Sequence, residues 1–140
     1  MGWFKNFSLV FMILVALTGI STSHAEEEGE APGLVQYIEM KPSFVLTYGP
    51  PSPKLAYAKV DISLRVDSRA AEEAVEHHMP ALRNTIVMLF SQQTDDIMSN
   101  QQGREKLRND ALAALQKQME EEVGQPTVGD LLFTNFVVQK

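Results

Sequence analysis

The chain has 140 residues, of which 44% are hydrophobic and 21% charged, a composition typical of one folded domain of modest size. Its formal net charge is −6 and its 12 Lys and Arg residues are dispersed, so no basic stripe is available to neutralise nucleic-acid phosphates. Cysteine is absent, which excludes disulfides, thiolate metal sites, thiol nucleophiles and a lipidated N-terminal cysteine. Core packing alone must therefore stabilise the domain.

Residues 1–25 have the layout of an export segment. Lys5 supplies a positive charge, an apolar run follows at residues 7–20, and the small residues Ser23 and Ala25 suit signal-peptidase cleavage after position 25. The residues that define this segment are Phe7, Leu9, Val10, Phe11, Ile13, Leu14 and Ala25.

A retained membrane anchor is the alternative interpretation of the same segment. As a helix, the apolar run spans roughly 21 Å, which is short of a hydrocarbon core of about 30 Å. Extending the run to Ala25 gives roughly 28 Å, which just spans, although Thr18, Gly19 and the polar residues 21–24 weaken its far half. Both interpretations deliver residues 34–140 to the same side of the membrane, after an acidic, flexible linker at residues 26–33.

The first part of the exported domain has the pattern of strands. Residues 34–40 and 44–48 are β-rich runs separated by Pro42, which cannot donate to a sheet and marks a break or an edge. After a Pro-rich loop at residues 49–53, apolar and polar residues alternate strictly from Ala56 to Asp67. The apolar set of this strand is Ala56, Ala58, Val60, Ile62, Leu64 and Val66. A slip of one residue would expose the four large ones at a cost of about 6–12 kcal/mol, so the register is fixed.

A helix is predicted from about Ser68 to Met98, with Ser68 as its N-cap. Apolar residues spaced three or four apart form one stripe along it, and Pro80 is expected to kink or divide the helix near His77. The residues of the stripe are Ala71, Val75, Met79, Leu82, Ile86 and Leu89.

A second helix is predicted to begin at Ser99, which has capping-box spacing to Gln102, and to end at Gly124. A last strand follows from about Val128 to Gln139, and the residues expected on one face of it are Leu132, Phe136 and Val138. The order β-β-α-α-β predicts an α+β domain: about three strands in an antiparallel or mixed sheet, with two to three helices packed on one face.

No residue pattern predicts a catalytic, cofactor or metal site. His77 and His78 point about 100° apart on a helix and cannot grip one ion, and residues 120–122, like 95–96, are expected on solvated faces. No phosphate loop or nucleophile motif is present in the sequence. The helical methionines at positions 79, 88, 98 and 119 are interpreted as core residues, with an adaptable partner groove as the alternative.

Three segments together resemble the flagellar basal body-associated FliL family. The first runs from Tyr37, through the sequence Tyr-Ile-Glu-Met-Lys-Pro-Ser-Phe-Val-Leu, to the end of the alternating strand at Asp67. The second joins residues 78–84 to residues 102–108, and the third is residues 131–139. Their order and spacing carry the resemblance, which covers essentially all of the exported domain.

The resemblance implies a non-enzymatic protein of the inner membrane and periplasm. Its domain would be similar to the stomatin and prohibitin type and would assemble into homo-oligomeric rings. It would contact the flagellar stator and basal body, and so support torque, swimming and swarming. Family members usually carry a basic cytoplasmic tail and a full membrane helix, whereas this chain has only Lys5 before a short apolar run. Removal of that run would leave a soluble periplasmic variant.

The second segment also contains the surface that we predict for contact with another protein or with a second copy of the chain. Its residues are Pro80, Arg83, Arg104 and Arg108. We expect Arg83→Ala to leave the fold intact and Leu64→Asp to destroy it. The alternative function is a periplasmic adaptor or ligand-binding module unrelated to flagella.

Overall fold

Residues 33–140 are described by the computed structural model, and they form four strands and three helices. In chain order these are β1 (Gln36–Glu39), β2 (Phe44–Tyr48), β3 (Ala56–Val66), α1 (Arg69–Ser91), α2 (Asp95–Ser99), α3 (Gln101–Val123) and β4 (Asp130–Gln139). The predicted α+β class is confirmed. The predicted export segment, and the linker as far as residue 32, lie outside the described residues.

The long alternating strand β3 lies at the centre of an open antiparallel sheet, and every other strand pairs with it. β1 pairs with the C-terminal half of β3 and β2 with its N-terminal half, so both strands share one side. β4 pairs along the whole of the other side. Four strands therefore make a sheet that is three strands wide. The element order is β-β-β-α-α-α-β, which has one strand and one helix more than the predicted order.

The break between β1 and β2 falls at Pro42, as predicted, and the Lys41–Pro42 peptide bond is cis. The Met40 amide still donates to the Ile62 carbonyl at 2.9 Å, which closes the sheet just before the break. Beyond Pro42 the chain rejoins the same side of β3, where Phe44 pairs with Val60.

The first helix differs from its prediction at two points. It begins as expected, because the Ser68 hydroxyl accepts a hydrogen bond from the Ala71 amide at 3.1 Å. It continues through Pro80, which lies on the exposed side, where water can bond to the carbonyl that loses its helical donor. It ends at Ser91 rather than Met98, because residues 92–94 leave the helical path and Thr94 caps a separate short helix.

The third helix begins one residue later than predicted. Asn100, not Ser99, is its N-cap: the Asn100 backbone is extended, and its side-chain oxygen accepts a hydrogen bond from the Gly103 amide at 2.6 Å. Ser99 remains the last residue of α2. The predicted end at Gly124 is confirmed, since this glycine has a φ of 79° and its amide closes the last turn. Within residues 33–140, every helix is too short or too polar to cross a lipid bilayer.

The core lies between the helices and the inner face of β3. The predicted alternation is confirmed, because the inner-face residues of β3 from Ala58 to Val66 are at most 2% exposed. Met98 and Met119 are fully buried, as predicted, whereas Met88 is 54% exposed on the solvent side of α1. The buried residues of α1 and α3 are Val75, Leu82, Ile86, Phe90, Leu107, Ala111, Leu115 and Met119.

A β-bulge in β4 sets which of its residues face the helices. Asp61 pairs with Asn135 and the next residue, Ile62, pairs with Phe133, so Thr134 is an extra residue without a partner on β3. The alternation of inward and outward side chains therefore changes phase at this point.

The bulge makes the prediction for Leu132 wrong. Leu132 is 37% exposed, whereas its neighbour Leu131 is fully buried beneath the helices. On the far side of the bulge, Phe136 and Val138 pack against the core, as predicted. Phe133 joins them and meets the Phe90 ring edge to face, with the ring centroids 5.8 Å apart.

Candidate interaction surface

The histidines and the acidic residues of the helices lie in separate contacts in the described part of the chain. Among residues 33–140 no group of three or more His, Cys, Asp and Glu side chains is placed to hold a metal ion. The His77 and His78 rings meet edge to face with their centroids 4.9 Å apart, and His78 Nδ1 lies 3.8 Å from Glu122 Oε2. Glu120 and Glu121 are exposed on the last turns of α3. These are the contacts of a solvated helix pair.

Arg83 ties α1 to the break between β1 and β2. Its Nη1 donates to the Met40 carbonyl at 2.8 Å, and its guanidinium carbon lies 4.1 Å from the centroid of the Phe44 ring. Met40 and Phe44 are each only 2% exposed, so Arg83 covers one end of the core. The side chain is thus engaged inside the domain, and its role towards a partner stays a prediction.

The two arginines of α3 contact the opposite side of the sheet. Arg108 Nη1 donates to Asp130 Oδ1 at 2.8 Å, and its Nη2 donates to Glu105 Oε1 at 2.6 Å. Glu105, with a smaller contribution from Asp130, raises the pKa of Arg108, and Arg108 in turn lowers the pKa of Glu105. The Arg104 guanidinium carbon lies 5.4 Å from the centroid of the Phe136 ring. Both side chains therefore hold α3 to β4.

The four residues predicted as one surface do not form one patch. Arg83 lies against the β1–β2 side of the sheet, and Arg104 and Arg108 lie against β4 on the other side. Pro80 is exposed in the middle of α1. The structure thus brings the arginines to two separate junctions between helix and sheet.

The outer face of the sheet, which points away from the helices, presents exposed apolar side chains. Val45 is 71% exposed, Tyr37 57% and Val137 45%. The large apolar residues of this face are Tyr37, Val45, Tyr57, Leu132 and Val137. Apolar residues gathered on one face are typical of a surface that contacts another molecule. We call this face, from β1 to β4, the open sheet face.

The register of the sheet aligns part of this apolar set in one row. Lys59 of β3 pairs with Val45 on one side and with Val137 on the other. Tyr57 and Asn135 complete a groove of about 410 Å³ along this row. Lys59, Asn135 and Gln139 also line this groove, so it combines apolar and polar side chains.

A polar cavity of about 220 Å³ lies next to this groove, at the break between β1 and β2. Glu39, Ser43, Asp61 and Thr134 contribute to its walls. Asn135 Nδ2 donates to Asp61 Oδ2 at 3.2 Å, and hydrogen bonds from Ser43 and then Asn135 hold the pKa of Asp61 below its usual value. The carboxylate of Asp61 therefore lies beside the groove on the open sheet face.

Asp95, the first residue of α2, joins three distant parts of the chain. Its Oδ1 accepts hydrogen bonds from the Tyr48 hydroxyl and the Ser99 hydroxyl, each at 3.1 Å, and its Oδ2 accepts one from the Lys140 ammonium group. The bond from Lys140, followed by those from Tyr48 and Ser99, lowers the pKa of Asp95, while burial and then Asp95 raise the pKa of Tyr48. Asp95 thus holds the end of β4 beside the end of β2.

Sequence reasoning did not single out the open sheet face or the contacts of Asp95. One signal for the face was available: Tyr57 is an aromatic residue on the otherwise polar side of β3. No local signal exists for Asp95, because Tyr48 and Lys140 lie 47 and 45 residues away from it in the sequence.

Comparison with known proteins gives one family match and one curated relative. The family model described as flagellar basal body-associated protein FliL matches residues 37–139. A curated relative, the flagellar protein FliL of Aquifex aeolicus (strain VF5), is 26% identical over 101 residues, which is 72% of this chain and 60% of the relative. The match therefore spans less than two thirds of the length of that relative.

Proposed function

Because this chain belongs to the FliL family of flagellar basal body-associated proteins, we propose that it binds and supports the stator of the flagellar motor. The proposed action is non-covalent and non-enzymatic: the folded domain presents surface to stator proteins and to further copies of itself. The expected consequences are higher torque, faster swimming and better swarming.

The single observation that carries the proposal is the family match, which begins in β1 and ends in β4. The match includes most of β1, the other three strands and the three helices, so it covers the described fold except for residues 33–36 and 140. The open sheet face supports a binding role in addition, because exposed apolar side chains there are available to another polypeptide.

We propose that the domain lies in the periplasm, at or attached to the inner membrane beside the flagellar basal body. This placement rests on the apolar run at residues 7–20, which either anchors the chain or is removed after export. Mass spectrometry of the protein isolated from cells distinguishes these two outcomes, because a mature N-terminus at Glu26 reports cleavage and an N-terminus at Met1 or Gly2 reports a retained anchor.

The proposed function is tested by deleting the gene and restoring it with variants. Single-cell swimming speed in media of increasing viscosity and swarming on agar are the readouts, since a loss of stator support is most severe at high load. We expect the deletion to reduce both and the wild-type gene to restore both. A gene encoding Leu64→Asp, whose domain should not fold, is the matched negative control. Unchanged motility of the deletion strain at high load would contradict the proposal.

A further inference from the structure

The open sheet face joins two different chemical features at short range. Val45, Tyr57 and Val137 give the groove its apolar part, and the carboxylate of Asp61 lies two residues further along β3 than Lys59, about 6.8 Å away along the strand. After the hydrogen bonds from Ser43 and Asn135, the charge of Lys59 also lowers the pKa of Asp61, but no Lys or Arg within residues 33–140 lies within 4.0 Å of its carboxylate, although other carboxylates nearby have such partners. A ligand that complements this face carries one apolar side chain and one cation beside it.

The chain itself carries such a pair in the loop between β2 and β3. Residues 50–55 of this loop are all exposed, and Leu55 is 49% exposed next to Lys54. Lys54 has no carboxylate within 4.0 Å among the described residues. Three prolines, at positions 50, 51 and 53, restrict the backbone, so the loop loses little conformational freedom when it docks.

The loop cannot bring Lys54 to Asp61 of its own copy. Asp61 lies about 17 Å along β3 from Ala56, the residue that follows the loop, and a lysine side chain is much shorter than this distance. Lys54 and Asp61 can therefore pair only between different copies of the chain.

We propose that the loop of one copy docks on the open sheet face of a second copy, with Leu55 in the groove between Val45 and Val137 and Lys54 beside Asp61. This inference rests on the self-association proposed above and names the surfaces that perform it. Since two different surfaces meet, the contact is head-to-tail: every copy keeps a free loop and a free face, and a ring forms when the rotation closes.

The absence of cysteine from the sequence allows a direct test by disulfide cross-linking of the full chain in cells. A chain with both Leu55→Cys and Val137→Cys should give, after mild oxidation, a ladder of dimers and higher multimers on a non-reducing gel. Each single variant alone should remain largely monomeric, and co-expression of the two single variants should give a dimer that contains one of each. Both positions are exposed, so the substitutions should leave the fold intact.

The matched control pairs Leu55→Cys with Met88→Cys, because Met88 is similarly exposed but lies on α1, away from the sheet face. The proposal is overturned if the double variant gives no ladder, or if the control pair gives an equal one. It is equally overturned if the wild-type chain is monomeric in cells while Asp61→Lys alters motility, since the face would then serve a different partner.

Charge reversal tests the polar half of the contact. In the chain with Leu55→Cys and Val137→Cys, we expect either Lys54→Glu or Asp61→Lys to reduce cross-linking several-fold, and the two together to restore it. Glu76→Lys, a charge reversal on the exposed side of α1, is the control. Cross-linking that neither reversal changes overturns the pairing of Lys54 with Asp61. Because cross-linking is read without motility, failure of the interface is distinguishable from failure of the stator proposal.

Discussion

Gly103 lies so close to Ile97 that a β-carbon at position 103 would stand 2.4 Å from the Ile97 carbonyl oxygen. The same β-carbon would lie 2.6 Å from the Ile97 α-carbon, so the obstacle is backbone rather than a flexible side chain. The short helix α2 thus packs directly on the first turn of α3. A glycine is required there, although glycine is a poor helix former.

We therefore expect Gly103→Ala to destabilise the domain by about 1–3 kcal/mol, because the clash outweighs the gain of about 1 kcal/mol in helix propensity. Urea unfolding followed by circular dichroism measures the difference. Gln102→Ala, at the exposed neighbouring position, is the control and should be neutral or slightly stabilising. A Gly103→Ala domain as stable as the wild type would show that α2 and α3 are further apart than described.

Arg83→Ala should reduce stability while leaving the fold recognisable. The substitution removes the hydrogen bond to the Met40 carbonyl and the cation–π contact with Phe44, for a loss of about 1–3 kcal/mol. Arg69→Ala is the matched control, since its exposed pair with Glu73 is worth about 0.5 kcal/mol or less. Denaturant titration measures the free energy of unfolding of both variants. If Arg83→Ala were as stable as Arg69→Ala, the Arg83 side chain would be free to contact a partner, as the sequence alone suggested.

Leu64→Asp should prevent folding, because Leu64 is fully buried in the central strand between Ile38 and Leu131. A carboxylate there has no charged partner, and the expected loss exceeds about 4 kcal/mol, a large part of the stability of a small domain. Soluble yield and the far-ultraviolet circular dichroism spectrum are the measurements. Val45→Asp is the control, because it also places a carboxylate on the sheet, but on the open sheet face, and it should fold normally. A native-like thermal unfolding transition of Leu64→Asp would refute the strand assignment.

The contacts of Asp95 predict a pH-dependent stability. Because its pKa is lowered in the folded state, the ionised carboxylate stabilises the fold above the ordinary Asp range near pH 4, and this contribution is lost as pH falls through the folded pKa. Asp95→Asn should therefore melt at a lower temperature than the wild type at pH 7, and the gap should narrow below about pH 4.

Thermal melts of wild type and Asp95→Asn between pH 7 and pH 3 test this expectation. Asp96→Asn is the control, because the Asp96 side chain contacts only Asn100 within its own helical region and does not contact β2 or the C-terminus. A gap between wild type and Asp95→Asn that stays constant over the whole pH range would show that the Asp95 contacts do not depend on its charge.

The features that the sequence predicted correctly are those encoded within a few residues. The alternation in β3 requires only that side chains point to opposite faces in turn, so its buried set followed directly from the pattern. The cap at Ser68 and the end at Gly124 depend on one side chain and one backbone conformation. The predicted family is likewise confirmed over residues 37–139.

The predictions that needed correction depend on competition between neighbouring signals. Ser99 has capping-box spacing, but Asn100 beside it is an equally good cap, and packing of α2 against Gly103 selects Asn100. The helix that was expected to reach Met98 stops at Ser91 for a related reason, because Thr94 offers a second start.

By itself, the sequence determined the α+β class, the buried face of β3 and the family, because each depends only on local periodicity or on the order of segments along the chain. Only the tertiary structure decided that β1 and β2 share one side of β3, that Thr134 bulges, and that Arg83 and Asp95 bond to distant residues. Those features arise where segments that are far apart in sequence meet. Packing of the whole domain, and not any local pattern, determines which strand positions and side chains face each other there.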